Sequence, residues 1–255
     1  MSTRPPRLGL ISALQEEQNG LIDIMRNTTI VTRGMRDYVS GKLGEMDCVC
    51  VLSRIGKVGA AATVATLIER FDITHVVFTG VAGSADQGVR VGDIVIADML
   101  VQHDMDATPL FPRFEVPLTG QTHFASDMLL SERLAKAAAD FVERDLRELV
   151  KAEDIAAFKL QQANVHRGLI ASGDEFIDCR NKLSELKSAL PSLLAVEMEG
   201  AAVAQVCFEF SVPFAVIRTV SDGANEDAPV NFTQFIERVA ARYAFGIMKR
   251  LCAHP

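Results

Sequence analysis

No run in the chain approaches the ~20 consecutive apolar residues that a membrane-spanning helix needs, so no such helix is expected among its 255 residues. A secretory cleavage pattern is missing too, because the apolar run 8–14 ends in Gln15-Glu16-Glu17 and not in small residues. Basic clusters are also lacking. With 26 Lys and Arg against 33 Asp and Glu, the net charge is −7, which argues against a surface for nucleic-acid phosphates. Cysteine is scarce and odd in number, at five, in a chain long enough to build a core without disulfide staples. Most of these thiols lie in apolar stretches, where they pack as small hydrophobes, and the expected compartment is the reducing cytoplasm.

Familiar cofactor and nucleophile signatures are equally absent. There is no G-x-S-x-G, so a serine-hydrolase reading has no support. Thr79-Gly80-Val81-Ala82-Gly83 has the spacing of neither a dinucleotide fingerprint nor a Walker loop; it reads as backbone brought close to a ligand or a neighbouring strand. Cys48 and Cys50 alternate along a strand with no second pair at zinc spacing, which makes them core residues. His103, Asp104 and Asp106 carry ligand atoms, but nothing completes a metal site. No metal and no cofactor are expected.

What the chain does contain is the alternation of an α/β domain. Short runs rich in Val, Ile and Leu at 8–13, 46–53, 75–79, 93–98, 165–171, 193–196 and 214–219 have the pattern of strands buried on both faces. Apolar spacings of three and four predict helices over 58–70, 128–150, 180–189, 200–208 and 231–251. Residues 38–44 and 46–53 read as antiparallel strands joined by a Gly-containing turn, which makes the sheet mixed. No linker, composition shift or repeat divides the chain. The expectation is one domain over 8–255, preceded by a poorly ordered extension over 1–7, with a three-layer arrangement of helices on both faces of a central sheet. The least patterned stretch is 104–126, and a long loop in a compact domain is usually functional or at an interface.

In such a fold, ligands gather beyond the carboxyl ends of the strands. Polar residues just past apolar runs are Glu16 and Glu17, the stretch 79–83, Glu197 and Glu199, and Ser221 with Asp222. Each has a bland alternative: the glutamates favour the positive end of a following helix, and Ser221 and Asp222 are good turn or cap residues. Taken together they weigh differently. Three carboxylates at the ends of three non-adjacent strands would repel one another unless a ligand with several donors offsets them.

At this point the segments match a known family. The chain resembles the 5′-methylthioadenosine/S-adenosylhomocysteine nucleosidases, within the purine nucleoside phosphorylase superfamily, over nearly its whole length. The matching blocks are Leu10-Ile11-Ser12-Ala13-Leu14-Gln15-Glu16-Glu17, Ile55-Gly56-Lys57-Val58, Thr79-Gly80-Val81-Ala82-Gly83, Val91-Gly92-Asp93-Ile94-Val95, His103-Asp104, Ser172-Gly173-Asp174-Glu175-Phe176-Ile177, Val196-Glu197-Met198-Glu199 and Arg218-Thr219-Val220-Ser221-Asp222. The resemblance implies hydrolysis of the N-glycosidic bond of an adenine nucleoside, in methionine salvage and methyl-cycle detoxification, by a cofactor-free homodimer. It assigns Glu17 to the attacking water, Asp222 to the proton on adenine and Glu199 to the ribose hydroxyls. It also puts Met198 under the ribose, Phe176 against the adenine, and the Ile177 backbone at the adenine edge. Ser221 would support Asp222, Arg218 would lie near the water, and Val81, Glu197 and Phe232 would line the substrate pocket.

The chemistry fits those roles. Adenine leaves more easily once N7 is protonated, which needs an acid still protonated near neutrality. Burial at a strand end, with repulsion from Glu197 and Glu199, is expected to raise Asp222 accordingly. The ribose gains oxocarbenium character, which a carboxylate beside it stabilises.

Three departures from the family pattern matter. Ser84 stands where a second glycine is usual, so the local backbone approach is expected to differ. The loop 108–120 lacks the Phe, Tyr and Gly-Gln-x-Pro-Gly run that in relatives reaches the partner subunit's site, so Phe111 or Phe114 is the candidate replacement wall. Arg54 stands where the hydrolases often have a small residue; it suits phosphate, though a lone Arg more often pairs with a surface acid. Two rivals therefore stay open: a phosphorylase using phosphate instead of water, and a non-catalytic nucleoside-binding protein of the same fold.

Overall fold

The computed structural model describes residues 5–253. In chain order the elements are β1 (Arg7–Ser12), β2 (Arg26–Arg33), β3 (Arg36–Leu43), β4 (Met46–Leu52), α1 (Lys57–Phe71), β5 (His75–Ser84), β6 (Ile94–Gln102), β7 (Phe124–Ala125), α2 (Met128–Arg144), α3 (Leu146–Leu149), α4 (Ala152–Ala157), β8 (Val165–Ser172), α5 (Arg180–Ala189), β9 (Leu193–Glu197), α6 (Gly200–Glu209), β10 (Phe214–Asp222), α7 (Ala228–Phe235) and α8 (Ala241–Ala253). Of the extension expected over 1–7, residues 1–4 lie outside the described residues, and Arg7 already opens β1.

The strands form one mixed sheet, and their residues alternate between two cores. Leu8 and Leu10 of β1, Cys48 and Cys50 of β4, Ile94 and Ile96 of β6, and Ala215 and Ile217 of β10 pack on the side of α2 and α8. Ile11, Val49, Val51, Val95, Ala97, Phe214 and Val216 face α1 and α6. This two-sided burial is why the strands read as continuous apolar runs. Each fully buried Leu, Ile or Val stabilises the fold by roughly 1.5–3 kcal/mol relative to exposure.

The pairing is more than a flat sandwich. β5 pairs with β10, β10 with β6, β6 with β8, β8 with β9, and β9 back with β5, so five strands close a ring. From β5 the sheet continues through β1, β4, β3 and the edge strand β2. Because β5 and β9 are antiparallel and pair only at Gly83↔Val196 and Ser84↔Ala195, near the end of each, their carboxyl ends meet there. β1, β9 and β10 all neighbour β5 but not one another, so acids at their ends converge on one place.

Three elements differ from the expected pattern. β2 is exposed along its whole length, so it lies outside both cores and carries no apolar alternation. The helix predicted over 128–150 breaks at Asp145, whose Oδ1 accepts from Arg250 Nη2 at 2.6 Å. The helix predicted over 231–251 starts earlier, at Ala228, with Pro229 in its first turn, where a missing N–H costs little. It also carries a π-helical turn, Ile236–Ala240. Among the described residues no helix is long and apolar enough to cross a membrane.

Candidate active site

A cavity of about 340 Å³ opens where the carboxyl ends meet, within the ~300–1,000 Å³ usual for small-molecule sites. Glu17, Val81, Phe176, Ile177, Glu197, Met198, Glu199, Ser221, Asp222 and Phe232 line it. Arg218 does not; it lies behind the wall, 1% exposed. Ala13, Leu14, Ile55, Ala82, Gly83 and Val196 complete the lining. They fall inside the family-like blocks, but they contribute backbone or small apolar surface, for which residue type gives no chemical signal.

Glu17 sits in a single 3₁₀ turn after β1, fully buried. Its Oε2 accepts from the backbone N–H of Ala13 (2.8 Å) and Leu14 (3.0 Å), and its Oε1 from that of Val81 (3.1 Å). Burial lifts its carboxyl above the usual range, against the pull of Arg218 and of these three donors. Gly80 explains one glycine of the β5 motif. A Cβ there would stand 2.8 Å from Glu17 Oε1 and 3.2 Å from Arg218 Nη1.

Asp222 ends β10. Its Oδ1 accepts from Ala224 N at 2.8 Å, and its Oδ2 lies 2.8 Å from Ser221 Oγ, which is 3.3 Å from Ala82 O. The Asp222 pKa is raised, and the cause is burial, opposed by the bonds from Ala224 and Ser221. Repulsion from Glu197 and Glu199, expected to contribute, is not among the causes; Glu197 acts on Glu199 instead. Gly83 carries the close approach here, since a Cβ would lie 2.9 Å from Asp222 Oδ1 and 3.0 Å from Ala224 Cβ.

Glu197 and Glu199 divide differently from what their adjacency suggests. Glu199 precedes α6 but makes no side-chain cap; its Oε1 accepts from Gly56 N at 2.8 Å, and Gly56 has the left-handed φ of +96° that glycine allows. Burial first, and Glu197 second, push its pKa up to about 8, with Arg218 opposing. The bland helix-end role falls to Glu197. Both of its oxygens accept from Gly200 N, at 3.0 and 2.9 Å, and Oε2 also accepts from Arg218 Nε at 3.1 Å and from Arg218 Nη2. Ser172, given no role from sequence, donates to Glu197 and accepts from Ala201 N.

Phe176 and Phe232 form an edge-to-face pair, centroids 5.7 Å apart, on the open side of the cavity. Nearby, Lys57 Nζ donates to Asp104 Oδ1 at 2.6 Å and to Gln102 at 3.1 Å, while Asp104 Oδ2 accepts from Asp174 N at 2.9 Å. Asp104 thus ties α1 to the loop after β8.

The departures resolve in physical terms. Ser84 Oγ lies 2.7 Å from Val89 O and knits its own turn, so the backbone approach depends on Gly83, one residue earlier. Arg54 does not line the cavity, and among the described residues it pairs with no acid; its Nη2 donates to Met35 O at 2.7 Å, holding the turn between β2 and β3. Phe114 is buried against Val101, Ile177 and Val196, because a ring gains more inside its own core than on a loop surface. That removes it as a replacement aromatic wall, and Phe111 does not reach this chain's cavity either.

Comparison with known proteins gives the family. Residues 7–253 match the model of the phosphorylase superfamily. A 5′-methylthioadenosine/S-adenosylhomocysteine nucleosidase of Shewanella frigidimarina is 34% identical over 245 residues, 96% of this chain and 98% of that one. The nucleosidase of that name from Neisseria meningitidis, solved with methylthio-immucillin-A, superposes with a TM-score of 0.85 at 34% identity, covering 98% and 99% of the two chains. A futalosine hydrolase of Helicobacter pylori shares the fold at a TM-score of 0.81 and 28% identity, covering 96% and 97%. The chain therefore belongs to the 5′-methylthioadenosine/S-adenosylhomocysteine nucleosidase family of the phosphorylase superfamily.

Proposed function

We infer that the protein is an N-glycosidic hydrolase of 5′-methylthioadenosine and S-adenosylhomocysteine, releasing adenine and a 5-thio-substituted ribose. The observation that carries water, and not phosphate, as the nucleophile is the seat of Glu17. Three converging backbone N–H groups make an anion cradle, and here the Glu17 carboxylate fills it. A phosphate approaching the same place meets a negative charge with the donors already taken.

The remaining roles are those the resemblance implies, and the geometry supports them. Asp222, raised by burial, is the acid that protonates adenine N7, with Ser221 orienting its carboxyl. Glu199 holds the ribose hydroxyls, and positive charge developing on the sugar draws it to its ionised form. Glu17 orients and deprotonates the water, with Arg218 behind it. Met198 packs under the ribose, Phe176 and Phe232 enclose the apolar parts of the nucleoside, and the backbone at Ile177 and Val81 sets its position. The protein acts in the cytoplasm as a homodimer, in methionine salvage and methyl-cycle detoxification, with the 104–120 loop beside the partner's cavity. The exposed side chains of Leu110, Leu118, Ile55 and Val58 offer apolar surface for that contact.

Incubation with methylthioadenosine, with and without phosphate, tests the reading. Adenine should appear at the same rate in both, with a free thio-sugar as the second product; phosphate-dependent release, with a sugar phosphate, would overturn it.

A further inference from the structure

Two buried side chains at the site are paired: Glu197, in the cavity wall, and Arg218, behind it. A buried ion pair contributes little net stability, because the loss of hydration offsets the attraction; Arg218 and Glu197 are nevertheless locked together. Resting on the nucleosidase reading above, we propose that Glu197 is a positioning residue for hydrolysis and not a ribose ligand. Ionised, it holds Arg218 behind the water-activating Glu17 and holds the N-terminus of α6 so that Glu199 meets the sugar.

The bonding count supports this. A carboxylate offers about four lone-pair directions, and five donors already converge on Glu197: Arg218 Nε and Nη2, Ser172 Oγ, Gly200 N and Glu199 N, the last at 3.2 Å. No direction remains for a sugar hydroxyl. Among the described residues Glu199, by contrast, accepts one side-chain bond, from Gly56 N. On its other side Arg218 is fixed over the Phe78 ring, 4.1 Å from the centroid, with Nη1 donating to Ile217 O at 3.2 Å. Gly80 lies beside both that nitrogen and Glu17 Oε1, since a Cβ there would stand 3.2 Å from the one and 2.8 Å from the other.

The charge of Glu197 therefore reaches two carboxyls. Facing it are Arg218 from β10, Glu199 from the turn before α6, and His103 beyond β6; Glu17 lies across Arg218. Glu197 repels Glu199 directly and, by neutralising Arg218, weakens the hold of that cation on Glu17. Removing the charge lowers the proton affinity of both carboxyls. His103, already held below its usual value by burial, falls further and stays neutral, so it adds nothing to the acid limb.

Glu197→Gln and Glu197→Asp test the proposal, with kcat and KM for adenine release from methylthioadenosine followed across the pH range and folding checked by thermal melting. In Glu197→Gln, kcat should fall ~10–10²-fold with KM within about threefold, and the acid limb should move to lower pH. In Glu197→Asp the charge remains, so the acid limb should stay in place. Its kcat should still fall, because the shorter side chain cannot span Arg218 and Gly200 together. A roughly tenfold rise in KM with unchanged kcat in either variant would make Glu197 a substrate ligand. An unmoved acid limb in folded Glu197→Gln would equally overturn the proposal. If Glu197→Gln does not fold, the split between kcat and KM in Glu197→Asp decides. A wild-type protein that releases no adenine fails the nucleosidase reading itself, a distinct result.

Discussion

In Asp222→Asn the carboxyl is exchanged for an amide of the same shape, and each bond around it can be followed. The amide oxygen keeps the place of Oδ1 and accepts from Ala224 N, now at 2.8 Å. The amide nitrogen takes the place of Oδ2, 2.8 Å from Ser221 Oγ, and donates to it; the Ser221 hydroxyl turns its proton to Ala82 O, 3.3 Å away. No group paired in the wild type loses its partner, and the second amide N–H is left at the wall of the cavity, so folding stability should change by less than ~1 kcal/mol. What is lost is the proton that N7 must receive, and turnover should drop by ~10²–10⁴, or about 3–5 kcal/mol of barrier. The raised pKa adds a sign. A carboxyl that is harder to ionise when folded weakens the fold as pH rises through that pKa, so the amide variant should be at least as heat-stable as the wild type at alkaline pH. The assay pairs initial rates of adenine release with thermal melting at neutral and alkaline pH. Near-normal turnover would refute Asp222 as the acid, and a fall of many degrees in Tm would refute the account of its hydrogen bonds.

Two further outcomes follow from the same geometry. Glu199, with a folded pKa of about 8, binds a proton that the unfolded chain has already lost above its ordinary value of 4.5, so stability should fall as pH rises between those two values. Urea unfolding should lose on the order of 2–5 kcal/mol from Glu199 over that window in the wild type, and Glu199→Gln should lessen the slope, the remainder coming from Glu17 and Asp222; an unchanged slope contradicts the assignment. Gly83→Ala puts a methyl 2.9 Å from Asp222 Oδ1 and 3.0 Å from Ala224 Cβ. It should displace the acid, costing ~1–3 kcal/mol of stability and at least tenfold in kcat; a variant with wild-type rates and Tm would show that the close approach is not needed.

Much of the fold was legible because both faces of the sheet are buried. β1, β4, β5, β6 and β10 stand out as apolar runs since each packs between two cores, and β8 and β9 since they pack between the α1/α6 core and a third one beside α5. β2 was invisible for the opposite reason: an edge strand in solvent needs no pattern. The break at Asp145 was equally hidden, because the helical periodicity runs through it and its partner Arg250 lies far along the chain.

The candidate site divides in a similar way. Sequence by itself determined which residues to look for at one place: acids at the ends of apolar runs, arranged in blocks that resemble one family, with no nucleophile or cofactor motif to compete. Only the tertiary structure decided what surrounds each of those acids. Glu197 and Glu199 are two residues apart, identical in type and both in the cavity wall, yet one is saturated by Arg218, Ser172 and the start of α6 while the other accepts from Gly56 N. Arg54 and Phe114, which residue type alone allowed near a ligand, are bound into a turn and a core. The physical reason is that a side chain's role depends on which donors and charges surround it. Those neighbours come from strands far apart in the chain, joined only when β5 pairs with β1, β9 and β10.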